Sequence, residues 1–280
     1  MARIQSKTMF ILSRNELPQT SDELAVALEE AVQEFASGTK PMIIVRGADL
    51  HRLDEIIVDL SGAVIDPRYR PVMPKLSTTE PAIWVRKLSV SARPVKVLGS
   101  ELTFDFAGSN VQLNQARASD GKVRLILHQV GLGEMRVAIA RGELERLIAQ
   151  IAAIAADKQG VTIDNVQLDL TSRGARTLET KVTVSARKLF FRTSLRLFGT
   201  VAVTDQLNAT VSGFRCEGDG ALAPLACAAI TPHFSRMEER AFPLSALSLG
   251  EVRVNDLAIA VDDEKIIVEA QFGSQSARPS

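Results

Sequence analysis

Leu147 to Ala156 reads LIAQIAAIAA, and only Gln150 interrupts the apolar run. The helix it predicts extends from about Gly142 to Gln159. Charge is confined to its ends, with Glu143, Glu145 and Arg146 before the run and Asp157 and Lys158 after it. Most surface helices carry one apolar stripe and one charged face, whereas a helix that is apolar nearly all round needs cover on nearly every side. Ten helical residues span about 15 Å, roughly half of a bilayer core. A membrane span is therefore excluded for this stretch, and the cover must come from protein or from a ligand.

The sequence around it is rich in candidate strands. Ile56 and Val58 alternate with Ile57 and Asp59, Leu102, Phe104 and Phe106 with Thr103 and Asp105, and Val123, Leu125 and Leu127 with Arg124 and Ile126. After the helix, Val166, Leu168 and Leu170 alternate with Gln167 and Asp169, and Val182 and Val184 with Thr183. Leu195 and Leu197 flank Arg196 in the same way. This period of two predicts strands with one buried face. The phase slips at Asp164–Asn165 and again at Asn255–Asp256, which predicts β-bulges, and bulged long strands favour a curved sheet.

Two further helices are expected. Thr20 and Glu23 have capping-box spacing ahead of Leu24, Leu28, Ala31, Val32 and Phe35, with Gly38 as the stop. Leu222 to Glu239 opens on the apolar LAPLACAAI, and Pro232 should kink or split it. Four prolines between Pro67 and Pro81 predict a loop or an irregular edge. The fold class that results is α+β, with long helices wrapped by a strongly curved antiparallel sheet. It is read as one domain over 1–280, or as two repeats of one architecture over about 1–140 and 141–273, with 274–280 a disordered tail.

Composition narrows the function classes. A hydrophobic fraction of 46% places the chain among globular proteins. Lys plus Arg and Asp plus Glu are 33 each, so the basic excess of a nucleic-acid binder is absent. No run is long enough for a secretory leader's apolar core or a membrane helix, which predicts a soluble, cytoplasmic protein, with peripheral membrane association compatible. Cys216 and Cys227 then read as reduced, partly buried thiols. A disulfide between them is the reading for an exported chain.

No catalytic pattern emerges. G-x-S-x-G, H-E-x-x-H and Walker A spacings are missing, and His51, His128 and His233 are far apart in sequence. Gly131 and Gly133 read as a turn between strands. Asp49, Asp54 and Glu55 near His51 are not read as a metal cluster, because no converging partner accompanies them. The expectation is no catalytic residue, no metal and no cofactor. Arg187, Lys188 and Arg192 flank Phe190 and Phe191. They serve either as gatekeeping charges at a hairpin end or as a rim that docks on anionic lipid headgroups.

The segments GELERLIAQIAAIA, VTIDNVQLDL, LFFRTSLRLFGTVAVTDQLNATVSGFRCEGDG and PLACAAITPHFSRMEERAFPLSALSLGEVRVNDLAIAV follow one another between Gly142 and Phe272. In that order they resemble bacterial members of the tubular lipid-binding superfamily, with its synaptotagmin-like and bactericidal-protein-like fold. The resemblance implies a helix held in a curved sheet, acyl chains bound in the seam, lipid transfer, and no metal or cofactor. Leu147, Ile148, Ile151, Ile154, Leu168, Leu170, Val182, Val184, Leu195, Leu197, Leu225 and Phe234 are the expected walls. A phospholipid or fatty acid is the expected ligand, with transient membrane contact, no nucleic acid, and a homo-oligomer compatible with all of this. Sheltering a chain of about 14 methylenes at about 0.8 kcal/mol each gives roughly 11 kcal/mol of gross driving force, less several kcal/mol for ordering and association. The rival readings are a structural or interaction protein whose interior is filled by its own side chains, and an unrecognised hydrolase.

Overall fold

The structure, a computed structural model, describes residues 9–12, 14–66, 79–117, 120–157, 160–188, 191–238, 240–244, 252–262 and 264–273. The elements in chain order are β1 (Met9–Ile11), α1 (Ser21–Gln33), β2 (Ala36–Gly38), β3 (Met42–Arg46), β4 (Arg52–Asp59), β5 (Ala63–Ile65), β6 (Glu80–Val97), β7 (Ser100–Arg117) and β8 (Val123–Ala140). Then follow α2 (Arg141–Asp157), β9 (Thr162–Ser172), β10 (Thr177–Lys188), β11 (Phe191–Val203), β12 (Asn208–Asp219), α3 (Ala223–Glu238), β13 (Phe242–Pro243), β14 (Arg253–Val261) and β15 (Lys265–Gly273). The chain divides into two compact units, Met1–Val137 with Leu247–Asp256 and Glu269–Ser280, and Ala138–Ala246 with Leu257–Val268. The tail 274–280 and the prolines Pro67, Pro71 and Pro74 lie outside the described residues, while Pro81 is the second residue of β6.

In the first unit the strand order runs β8-β7-β6-β4-β3, with β15 and β14 beyond β8. The sheet is mixed, because β4 and β5 both pair with β6 in parallel. Helix α1 starts where expected, with the Thr20 hydroxyl accepting from the Glu23 amide, and it buries Leu24, Ala27, Leu28, Ala31 and Val32. It ends at Gln33, five residues before Gly38. Ala36–Gly38 instead forms β2 and pairs with β5. Val32, Ala36, Ala63, Ala92 and Val95 form a buried cluster there, with Phe35, Ile65 and Phe104 against it.

Every residue from Val123 to Leu127 is buried, so β8 is covered on both faces where it begins. Arg124, expected on a polar face, is only 3% exposed. Its guanidinium reaches the Asp120 carboxylate at 2.6 Å, and its Nε finds no partner among the described residues. The Asp120 carboxyl is held below the usual aspartate range, first by the Lys122 amide hydrogen bond and then by Arg124. A carboxylate with a depressed folded pKa stabilises above its unfolded value, about 3.9, and loses that contribution as pH falls through the lower folded value. Asp120→Asn is therefore expected to lower the thermal midpoint at neutral pH and to leave midpoints converging with the parent's in acid. Arg124→Leu, which removes the buried charge itself, is expected to cost less. Parallel pH-dependent melts check the order.

The second unit holds a five-stranded antiparallel sheet in the order β13-β12-β11-β10-β9. The register of β9 against β10 skips Asp164, passing from Asn165 opposite Ser185 to Ile163 opposite Ala186. This is the bulge that the phase slip predicts. A second irregularity lies between Phe198 and Thr200, where β11 meets β12.

The expected fold class, long helices wrapped by a strongly curved antiparallel sheet, is corrected by the structure. Among the described residues strands dominate, the three helices have 13, 17 and 16 residues, and one of the two sheets is mixed. The apolar helix α2 is not enclosed, since Ile151 is 52% and Ile154 59% exposed. The physical reason is that α2 lies along the edge strand β9 and packs through Leu144 and Ile148, which leaves the flank with Ile151 and Ile154 in solvent. Gly131 and Gly133 are a second correction, because both sit inside β8 and not in a turn. A Cβ on Gly131 would lie 3.1 Å from the Ser109 carbonyl oxygen, so the glycine serves a close strand approach.

Candidate functional site

The sheet register sorts the second unit's strands into two unlike faces. Leu168, Val182, Leu197 and Cys216 align in one cross-strand row, and Val166, Val184, Leu195 and Gly218 in the next. Leu170, Leu178, Val201 and Val211 share that face by the two-residue period. The opposite face carries Gln167, Thr183, Arg196 and Glu217 in one row. Its charges are paired in solvent, as in Arg196–Asp219 and Arg173–Glu179, and Arg215 lies over the Phe198 ring.

Both helices lie on the apolar face. From α2, Leu144 and Ile148 join a cluster with Leu168, Leu170, Leu178, Val182, Ile259, Val261 and Ile266. The Glu145 carboxylate accepts the Leu168 amide at 2.7 Å and so covers part of the free edge of β9. Residues advance by about 100° around a helix. Passing from Glu145 at that edge, through Ile148 and Leu144 against the sheet, one reaches Ile151, Leu147 and Ile154, which turn toward β10 and β11.

Helix α3 runs back along β12. Ala223 sits on Gly218 and Leu195, and Phe234 stacks on Phe214 with ring centroids 4.2 Å apart. The Phe214 amide donates to the Glu238 carboxylate at 2.6 Å. Cys216 and Cys227 are bonded, with Cα atoms 5.6 Å apart, which corrects the expectation of reduced thiols. The cause is the helix direction, which brings the fifth residue of α3 over the Leu197–Cys216 row. Pro232 does not split α3, which continues through it to Glu238.

Right-handed helices running in opposite directions turn defined flanks toward each other. Here they are Leu147, Ile151 and Ile154 on α2 and Ala226, Ile230 and Met237 on α3. Between them Val182, Val184, Leu197 and Val201 are half-buried, with Val182 packed against the α2 cluster and Leu197 beside the Cys216–Cys227 bond. The result is an apolar strip, floored by β10 and β11 and walled by two helices, within one unit.

Of the sequence-predicted wall residues, Leu168 and Leu170 are buried in the cluster that Ile148 joins, and Leu195 is buried beside Gly218. Ile151 and Ile154 are exposed on the α2 flank with half-buried Leu147, Val182 packs against that cluster, and Val184 and Leu197 are half-buried on the apolar face. Phe234 is occupied by its stack on Phe214, and Leu225 is 72% exposed on the outer side of α3. Arg187, Lys188, Phe191 and Arg192 are exposed at the β10–β11 hairpin, and Phe190 lies outside the described residues. Ala226, Ile230 and Val201 were not expected at the strip. The helical spacing of Ala223, Cys227, Ile230 and Phe234 is the signal that marks the sheet-facing side of α3 and, beside it, this flank.

The charged groups around His51 have partners of another kind. Asp49 accepts the His51 amide, Asp54 pairs with Arg86, Glu55 pairs with Arg46, and His51 Nδ1 lies 2.9 Å from the Ala82 carbonyl oxygen. Among the described residues no three His, Cys, Asp or Glu side chains are grouped to hold a metal ion, and no helix is long and apolar enough to cross a membrane. Comparison of the chain with protein-family models, with curated proteins and with solved structures finds no match in any of the three.

Proposed function

We propose that the second unit binds a long apolar ligand, a fatty acid or the acyl chain of a phospholipid, along the strip between α2 and α3, with no chemical step. The observation that carries the reading is an apolar face with two flanking helices and a half-buried floor whose side chains, Thr180 and Thr193 apart, are apolar. The Thr180 hydroxyl on that floor donates to the Gly199 carbonyl at 3.0 Å, and a lining dominated by Val and Ile suits a ligand recognised by chain length. Each methylene sheltered contributes about 0.8 kcal/mol. The Cys216–Cys227 bond supports an oxidising compartment rather than the cytoplasm as the place of action.

Native mass spectrometry of protein purified from cells tests the proposal. A lipid-sized adduct near one per chain is expected. Ile151→Glu with Ile154→Glu is expected to reduce that occupancy at least tenfold, because each carboxylate would have to be buried against the acyl chain. Both positions are more than half exposed, so the double variant should keep the parent's circular dichroism. A ligand-free parent that also takes up no labelled fatty acid would sink the idea and leave a protein-interaction face in its place.

A further inference from the structure

We propose that one end of the second unit docks on an anionic bilayer surface, a partner assignment that rests on the acyl-chain reading of the strip. Three elements end there. Helix α2 finishes at Asp157, and the Val161 amide donates back to the Ala156 carbonyl, so the chain turns straight into β9. Thr162 then pairs with Arg187 at the end of β10, and Arg187 pairs with Arg192 across the hairpin. A Cβ on Gly220 would lie 2.6 Å from the Arg192 carbonyl oxygen, so the start of α3 lies against the same hairpin.

Each of these three elements holds a large apolar side chain in water. Ile154, one turn before the end of α2, is 59% exposed, Phe191 on the hairpin 51%, and Leu225 in the first turn of α3 72%. Side chains exposed singly are ordinary, but three from separate elements at one end form a set. The cations beside them fit an anionic surface. Arg187 is paired with Asp164, whereas Lys188 and Arg192 make no ion pair with any described residue. Cations flanking inserted apolar side chains are the pattern that anionic headgroups attract, at a range limited to about a Debye length. The same end opens onto the strip beside Ile154, so a docked unit would present the strip to the acyl layer.

Vesicle flotation tests the docking. The parent is expected to float with vesicles of phosphatidylcholine and phosphatidylglycerol in equal parts, and far less with phosphatidylcholine alone or at high salt. Lys188→Glu with Arg192→Glu, and separately Phe191→Glu with Leu225→Glu, should each lower partitioning at least about tenfold. All four positions are exposed, so folding should survive. Native mass spectrometry on the same proteins separates the two proposals, because these variants should carry the parent's lipid load. A parent that fails to float, that floats equally with neutral vesicles, or whose variants float as well as it does, overturns the docking whatever the lipid load.

Discussion

Replacing Cys216 and Cys227 by serine is expected to lower stability by about 2–4 kcal/mol, the usual cost of losing a bond that closes a loop of this kind. The bond joins β12 to α3 across a sequence separation of 11, and α3 has few other anchors. Only Ala223 of the helix is buried. Without the bond, the Phe214–Phe234 stack, the Ala223 contact and the Glu238 hydrogen bond remain to hold α3 on the sheet. Urea midpoints of the parent with and without a thiol reductant should differ, and the serine pair should match the reduced parent. A parent indifferent to reductant, with the serine pair equally stable, would show that α3 is held by packing alone.

Gly218→Val is expected to have an effect of similar size for a different reason. A Cβ at this position would meet the Ala223 Cβ at 2.7 Å, a Leu195 methyl at 2.8 Å and the Ser194 carbonyl oxygen at 3.0 Å, and the first and last of these cannot move without their backbone. Overpacking of this kind typically costs about 1–3 kcal/mol. Here the relief available is for α3 to lift off β12. The variant should therefore lose stability and also bind more of an environment-sensitive dye, as the floor of the strip is uncovered. Gly218→Ala should show a smaller change in the same direction. If both variants melted with the parent, the helix would not be seated on this row.

The strands were legible because alternation is a local property. Leu168, Leu170, Val182 and Leu197 fall on one face whatever their neighbours are, and the slip at Asp164 was visible as a broken period. Partnership was not local. Nothing in the period of β4 says that it pairs with β6 in parallel, or that β8 is covered so fully at its start that Arg124 is buried. The apolar run of α2 misled for a related reason. Six of its ten residues from Leu147 to Ala156 are not large, since alanine and glutamine alternate with the isoleucines, and alanine tolerates solvent far better than leucine does. A helix that is apolar by count can thus leave one flank open. The exposed flank, and not the enclosure expected of it, is what makes the strip a candidate site. The disulfide was illegible for want of the helix direction, which only the tertiary structure sets.

Strand β1 pairs antiparallel with β8, with Met9, Phe10 and Ile11 opposite Ile126, Leu125 and Arg124. During synthesis the first strand therefore leaves the ribosome long before its partner exists. Closing a loop of that length adds only a slowly growing entropy cost, so the pairing is affordable at equilibrium, but it must wait. Meanwhile an unpaired strand edge is open to wrong partners, including copies on neighbouring ribosomes. Non-local pairing of this kind also slows folding of the finished chain. The N-terminal strand is accordingly a late piece of the first unit, and yield in a rapid expression host should respond to temperature and to chaperone supply more than the final stability would suggest.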